Sequence, residues 1–251
     1  LDSRGYQFYT DVDNKFYHLE KEKPTCFAVQ QWKTFRDAAP KTAQSIYVSL
    51  NSTLMAFTET IRESMRTLPT VDFNQLEATN SILFITTSPV KRSLHTLGNI
   101  FVNRAITELH TLADEQPSGI LKRPVHITFD DFATGAKVAG MPEKLSICRE
   151  KGISFTLLVQ SESQLSRMYG SYGAIEIMDN CDNYVFLGGN NYDTAKNISL
   201  KLNVPLEDIL YMPIGQVIVF RRGQKPIITK RYDVLADPLY QSLKKNNTYI
   251  R

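Results

Sequence analysis

The sequence predicts an α/β fold: a mainly parallel sheet with flanking helices, closed by an antiparallel hairpin and accompanied by a separate all-helical domain. Three observations predict it. Apolar residues between positions 25 and 61 recur every three or four residues, the spacing of amphipathic helices. From position 81 onward, short apolar runs alternate with amphipathic stretches, the pattern of βαβ units with parallel strands. Near the end, two strand-like runs flank Arg222-Gly223-Gln224, a turn that joins antiparallel strands. The expected division is 1–80 for the helical domain and 81–251 for the sheet domain.

Residues 1–24 are aromatic and charged, and their pattern fits strand and helix equally. Pro24 and Thr25 open a helix carrying Phe27, Ala28, Gln31, Trp32 and Phe35. Trp32 and Phe35 are expected in the core of the helical domain. Pro40 separates a second helix, with Ala43, Ile46, Tyr47, Leu50, Leu54, Phe57 and Ile61 on one stripe and a break expected at Asn51-Ser52. Lys33, Arg36 and Lys41 lie on its polar faces and those of its neighbour, either as solvated charge or as a DNA- or partner-facing surface.

Ile82-Leu-Phe-Ile-Thr86 reads as a buried strand, and Leu94 to Leu112 as a long amphipathic helix. Val125, Ile127 and Phe129 form a strand ending in Asp130 and Asp131. A short helix bearing Arg149 ends at Gly152, and Ile153 to Val159 is a strand ending in Gln160. A helix over 163–177, a strand over Tyr184 to Leu187 and a helix over 193–202 follow. Gln216 to Arg221 and Pro226 to Tyr232 make the hairpin. His126, in mid-strand, is expected to be a satisfied core histidine.

The chain has 251 residues, 42% hydrophobic and 22% charged, as in ordinary globular proteins. A net charge of +3 permits a nucleic-acid partner without demanding one. Cys26, Cys148 and Cys181 lack metal-ligand spacing and read as reduced thiols. No run approaches the ~18 apolar residues that cross a bilayer. The polar opening Leu1-Asp-Ser-Arg4, without an initiator Met, suggests a fragment or processed chain.

Two carboxylates at a strand's carboxyl end suit Mg²⁺-nucleotide chemistry. One holds the metal's water shell and the other orients or deprotonates an attacking water. Acidic residues also end strands as turn or cap residues, and that alternative stays open. A Gln one strand over fits a γ-phosphate sensor or a strand cap.

Lys41-Thr-Ala-Gln-Ser-Ile-Tyr-Val-Ser-Leu50, Phe129-Asp-Asp-Phe-Ala133, Arg149-Glu-Lys-Gly-Ile153, Leu158-Val-Gln-Ser-Glu-Ser-Gln-Leu165, Asn180-Cys-Asp182 and Phe186-Leu-Gly-Gly189 occur in that order. Met212-Pro-Ile-Gly-Gln-Val-Ile-Val-Phe-Arg-Arg-Gly223 closes the set. Together, over residues 25–240, they resemble type IV coupling proteins of the TraG/TraD conjugation family. The resemblance implies a RecA-like P-loop ATPase with an inserted helical domain. It implies a membrane-anchored homo-hexamer at the cytoplasmic face, driving single-stranded DNA and its relaxase into a type IV secretion channel.

By the same resemblance ATP and Mg²⁺ are the cofactors. Asp130 would hold Mg²⁺ through water, and Asp131 would stand where the family has its catalytic Glu. Gln160 would be the sensor, and Arg149 would reach a neighbouring subunit's nucleotide. The sequence departs from the family in having no G-x-x-x-x-G-K-[ST] phosphate loop, no membrane anchor and Asp in place of Glu at 131. This chain alone is therefore expected to be inactive, and a non-hydrolysing DNA- or relaxase-binding adaptor is the alternative. A RecA-like order would put the missing phosphate-loop strand between the Gln160 and Tyr184 strands. That gap is expected to be filled by the aromatic segment Tyr6 to Tyr17, by direct pairing of its flanks, or by a neighbouring chain.

Overall fold

The computed structural model describes residues 10–54, 57, 61, 63, 66, 71–87, 92–135 and 137–246. They fall into two compact units, Leu1–Pro69 and Thr70–Arg251.

The first unit contains α1 (Thr10–Glu22), α2 (Phe27–Asp37) and α3 (Pro40–Leu54). The ambiguous aromatic segment is helical from Thr10, so it supplies no strand there, and its first residues lie outside those described. Asp11 and Asp13 sit in the first turn of α1, where acidic side chains complement the helix dipole. Trp32 of α2 stacks flat on Phe16 of α1, with centroids 4.8 Å apart and planes 7° apart. Its indole Nε1–H donates to Asp13 at 3.0 Å, so the ring is fixed at both face and edge. Helix α3 runs through Asn51 and Ser52 without the expected break. Its stripe is not buried: of Ala43, Ile46, Tyr47, Leu50 and Leu54, only Ala43 is covered.

The second unit starts with a short helix, α4 (Phe73–Ala78), capped by the Asp72 carboxylate, which accepts from the Asn74 N–H. The strand expected at 82–86 does not form. Residues 81–87 have no regular structure, and Ile82 and Phe84 are 81% and 84% exposed. An apolar run specifies a strand only if a neighbour pairs with it, and no described strand does.

Helix α5 (Arg92–Asp114) packs Ile106, Leu109 and Ala113 against Leu121, Cys148 and Ile153. Strands β1 (Val125–Phe129) and β2 (Ile153–Leu157) pair in parallel, with Val125 opposite Ile153 and Phe129 opposite Leu157. Period-2 alternation gives this pair two unlike faces. Val125, Ile127, Phe129, Phe155 and Leu157 turn to the cores, while His126, Thr128, Ser154 and Thr156 are exposed. His126 is therefore not a core residue. Its Nδ1 bonds Ser154 Oγ at 2.7 Å and its Nε2 bonds Thr156 Oγ1 at 2.9 Å, a polar cross-strand clamp on the open face.

Helix α6 (Met141–Cys148) continues into a 3₁₀ turn (Arg149–Lys151) that ends at Gly152. Gly152 has φ 79°, and a Cβ there would meet Ile120 at 3.1 Å. Helix α7 (Glu162–Asp179) starts at the Ser161 cap and is broken at Gly170, whose φ of 79° and ψ of 163° are not helical. The second sheet comprises β3 (Asn183–Phe186), β4 (Gln216–Arg221) and β5 (Ile227–Lys230). β3 is antiparallel to β4, and β4–β5 is the expected hairpin. Helices α8 (Tyr192–Leu202) and α9 (Leu206–Leu210) cover one face of that sheet through Ala195, Ile198 and Ile209. A last helix, α10 (Pro238–Asn246), follows a 3₁₀ turn.

The fold is mixed α/β, but among the described strands one pairing is parallel and two are antiparallel, so the sheet is not mainly parallel. β2 and β3 belong to separate sheets, and no described strand lies between them. Among the described residues, the aromatic segment from Thr10 onward is helical and β2 does not pair with β3, so the continuous strand order implied by the resemblance is not formed there. The physical reason lies in exposure. Ser154 and Thr156 on β2, and Asn183 and Val185 on β3, are exposed, so each strand keeps a water-facing side and neither is enclosed on both faces as the inner strand of a parallel sheet would be.

Candidate functional site

The candidate site is built at the carboxyl ends of β1 and β2. Leu158 N–H donates to Phe129 O at 2.9 Å, and Phe132 N–H donates to Leu158 O at 2.8 Å. The ladder thus resumes after skipping two residues, and Asp130 and Asp131 form the exposed loop between. Asp131 takes φ 50°, a left-handed conformation that Asp tolerates better than most residues. The Thr134 N–H and hydroxyl both donate to the Asp131 carbonyl, at 2.9 and 2.8 Å, which holds the turn.

Phe132 anchors the loop from beneath. It is buried, stacks on Tyr169 with centroids 5.5 Å apart and meets Phe129 edge-on at 5.2 Å. The Tyr169 hydroxyl accepts from the Val138 N–H at 3.1 Å, and burial pushes its pKa up to about 12.

Gln160 and Asp131 are brought together, with Gln160 Nε2 donating to Asp131 Oδ1 at 3.3 Å. The other end of the same amide accepts from Gln164 Nε2 at 3.0 Å, and Gln164 N–H donates to Ser161 Oγ in the first turn of α7. The sensor candidate is thus held by the helix that follows it. The Asp130 carboxylate has no hydrogen bond or ion pair among the described residues. Exposed, uncommitted oxygen donors of this kind fit Mg²⁺, which keeps most of its waters and takes one or two carboxylates. Among the described residues no cluster of three His, Cys, Asp or Glu side chains could hold a metal by protein ligands alone.

Arg149 is not part of this group. It precedes β2, and Gln160 follows it, so about 16 Å of strand separates them. Its Nη2 bonds Asp182 Oδ2 at 2.9 Å, and Arg222 Nε lies 3.1 Å from Asp182 Oδ1. Arg222 also donates to the Asp179 carbonyl, and Arg221 Nε donates to Asn183 at 3.3 Å. In the first unit Lys33 pairs with Glu20 and Arg36 with Asp13, while Lys41 is exposed.

Sequence reasoning missed a polar joint between α7 and α8. Glu162, only 5% exposed, accepts from Asn197 Nδ2, and its N–H donates to Thr194 Oγ1 at 3.2 Å. Ser163 donates to Asn191 at 3.1 Å, and Asn191 caps α8. Burial first, then the Glu162 charge, raises the pKa of Tyr184 beside it. Glu162 directly follows a cap and so reads as an ordinary first-turn acid; the Asn191 cap before an apolar-periodic run was the one available signal.

The family described as the TraM recognition site of TraD and TraG matches residues 124–203. That segment contains both strand ends, Arg149 and the polar joint. Solved structures of the plasmid coupling protein TrwB are similar. The complex with the non-hydrolysable GTP analogue GDPNP is 22% identical, with a TM-score of 0.48 over 57% of this chain and 37% of that one. The trigonal sulphate form of the bacterial conjugative coupling protein TrwBdeltaN70 is 23% identical, with a TM-score of 0.49 over 56% and 37%. The complex with ADP and Mg²⁺ is 21% identical, with a TM-score of 0.46 over 55% and 38%. The chain thus spans little more than a third of the TrwB chains it matches. No curated protein matches. The family match thus covers residues 124–203, about a third of the chain, and over that segment the chain is similar to the TraD and TraG family.

Proposed function

We propose that the chain is the cytosolic part of a conjugative coupling protein, an ATP-driven motor that recruits relaxase-bound single-stranded DNA and delivers it to a type IV secretion channel. The observation that carries this reading is the Gln160–Asp131 hydrogen bond at adjacent strand ends, inside the matched segment. In this reading Asp130 holds Mg²⁺ through water and ATP lies over the carboxyl ends of β1 and β2. Asp131 orients the attacking water, and Gln160 reports the γ-phosphate to α7. Arg149, at the far end of β2, serves a neighbouring subunit of a hexamer. The 124–203 segment offers a surface for a TraM-like partner, in keeping with the family's description. Among the described residues no helix is long and apolar enough to cross a membrane, so a membrane anchor would have to lie elsewhere.

The test is ATP turnover by the full-length protein. Asp130→Ala and Gln160→Ala should each abolish it while leaving the circular dichroism spectrum unchanged; wild-type turnover in both variants would refute the assignment. A second reading, a non-hydrolysing adaptor, is favoured by one sequence fact: these residues hold no phosphate loop of the G-x-x-x-x-G-K-[ST] kind. Calorimetry of this chain with Mg-ATP should show weak or no binding under either reading, so turnover by the full-length protein separates the two.

A further inference from the structure

Among the described residues, the largest run of cations uninterrupted by an acid lies on the β4–β5 hairpin. From Ile209 to Tyr232 the chain has five cations, Arg221, Arg222, Lys225, Lys230 and Arg231, and no acid. The whole chain carries +3, so with +5 in this stretch the remaining residues sum to −2. The basic character of the protein is the hairpin's.

Two of the five are spoken for: Arg222 by Asp182 and the Asp179 carbonyl, and Arg221 by Asn183. Lys225, Lys230 and Arg231 have no acidic partner among the described residues. Of the helical unit's candidates, Lys33 and Arg36 are neutralised by α1, which leaves Lys41 alone.

Exposure completes the pattern. Every residue from Arg221 to Ala236 is exposed, and β5 is an edge strand among the described strands. Lys225 in the turn and Lys230 at the end of β5 are about 16 Å apart along the strand. Between and beside them lie Ile227 and Ile228, 54% and 57% exposed on opposite faces, and Tyr232, 68% exposed. The Tyr232 hydroxyl donates to Asp237, which fixes the ring while leaving its face open. Cations spaced along a strand suit a backbone of phosphates, and apolar and aromatic surface between them suits bare base faces, which a duplex hides.

We propose that the β4–β5 hairpin is a binding surface for single-stranded nucleic acid, with Lys225, Lys230 and Arg231 on phosphates and Tyr232 under a base. It shares a nucleic-acid cargo with the motor reading but needs no nucleotide site. It places the contact in the second unit rather than on Lys33, Arg36 and Lys41.

The test is fluorescence anisotropy of this chain with a labelled oligothymidylate of about 16 nucleotides, the upper end of what one small nucleic-acid-binding fold covers. Three phosphate contacts on a single strand predict a slope near −2 for log Kobs against log salt. Lys225→Gln with Lys230→Gln should flatten that slope by about 1.4 and weaken binding on the order of tenfold at about 50 mM salt. Lys15→Gln with Lys196→Gln removes the same charge elsewhere and should leave both unchanged. Tyr232→Ala should weaken binding with no change in slope, a signature that loss of charge cannot give.

No binding by the parent chain overturns the proposal, as does an unchanged slope in the Lys225/Lys230 variant. Displacement of the oligonucleotide by polyglutamate at equal charge concentration shows an acidic-peptide site instead. Tighter binding of a duplex removes the role of base faces. None of these outcomes touches ATP turnover at Asp130 and Gln160, so the two readings fail separately.

Discussion

Replacing Phe132 and Phe84 by alanine, one at a time, tests both the loop that holds the candidate site and the strand that does not form. The chemistry removed is identical and the surroundings are opposite. Phe132 is 5% exposed and touches Tyr169 and Phe129, with Val138, Met141 and Leu165 in the same core. Truncating a phenyl ring in such a core costs about 3–5 kcal/mol, from lost transfer energy and the cavity left behind. For a protein of this length each kcal/mol moves the midpoint by roughly 2–4 °C, so Phe132→Ala should lower Tm by about 6–20 °C. Phe84 is 84% exposed, and its truncation should stay within about 0.5 kcal/mol. Urea unfolding followed by circular dichroism measures both. The site gives a second readout: without the ring beneath it, the Asp131 turn loosens, and the NMR signal of the Gln160 side-chain amide should move as its hydrogen bond to Asp131 is lost. A loss above about 2 kcal/mol in Phe84→Ala would show that 82–86 is a buried strand after all. A neutral Phe132→Ala would refute the anchoring of the loop.

Two further outcomes follow from other residues. Burial pushes the Cys148 thiol up from 9.0 to about 11, so the folded state holds its proton more tightly than the unfolded chain does. Its contribution is therefore full below pH 9 and lost as pH rises toward 11, and Cys148→Ala should flatten that part of the stability profile; an unaltered profile would count against it. In the full-length protein, subunits carrying Arg149→Ala mixed with subunits carrying Asp130→Ala should regain part of the ATP turnover, because in the proposed hexamer the two defects would fall on opposite sides of a shared interface; no rescue at any ratio would remove Arg149 from that role.

How much was legible depended on whether a segment carried its own partner. The hairpin was legible because two β-branched runs flank Gly223, so strand, turn and pairing were all local. β1 and β2 were legible because each is bounded by a turn and followed by helical spacing. Residues 82–86 misled because four consecutive apolar residues specify burial without saying against what. Thr10–Glu22 misled in the other direction, since its aromatic residues fit both periods, and the Phe16–Trp32 stack that decides for a helix is tertiary. Asp131 and Gln160 were named as candidates, but their direct contact depends on the two-residue loop and on Phe132 beneath it. The Arg149–Asp182–Arg222 bridge joins residues up to 73 positions apart in sequence, and no spacing announces it.

That bridge makes Asp182 a shared counter-ion. One carboxylate oxygen faces Arg149 and the other faces Arg222, the residue that opens the β4–β5 turn. A phosphate that draws Arg149 away leaves the whole carboxylate charge to Arg222, tightening the seat of the hairpin. Thermodynamic reciprocity then runs the other way with equal strength: anything that pulls Arg222 from Asp182 holds Arg149 closer, which in the proposed hexamer would make it harder for a neighbouring subunit to recruit. A surface ion pair of this exposure contributes under about 1 kcal/mol, too little to lock either arginine and enough to bias which one is free.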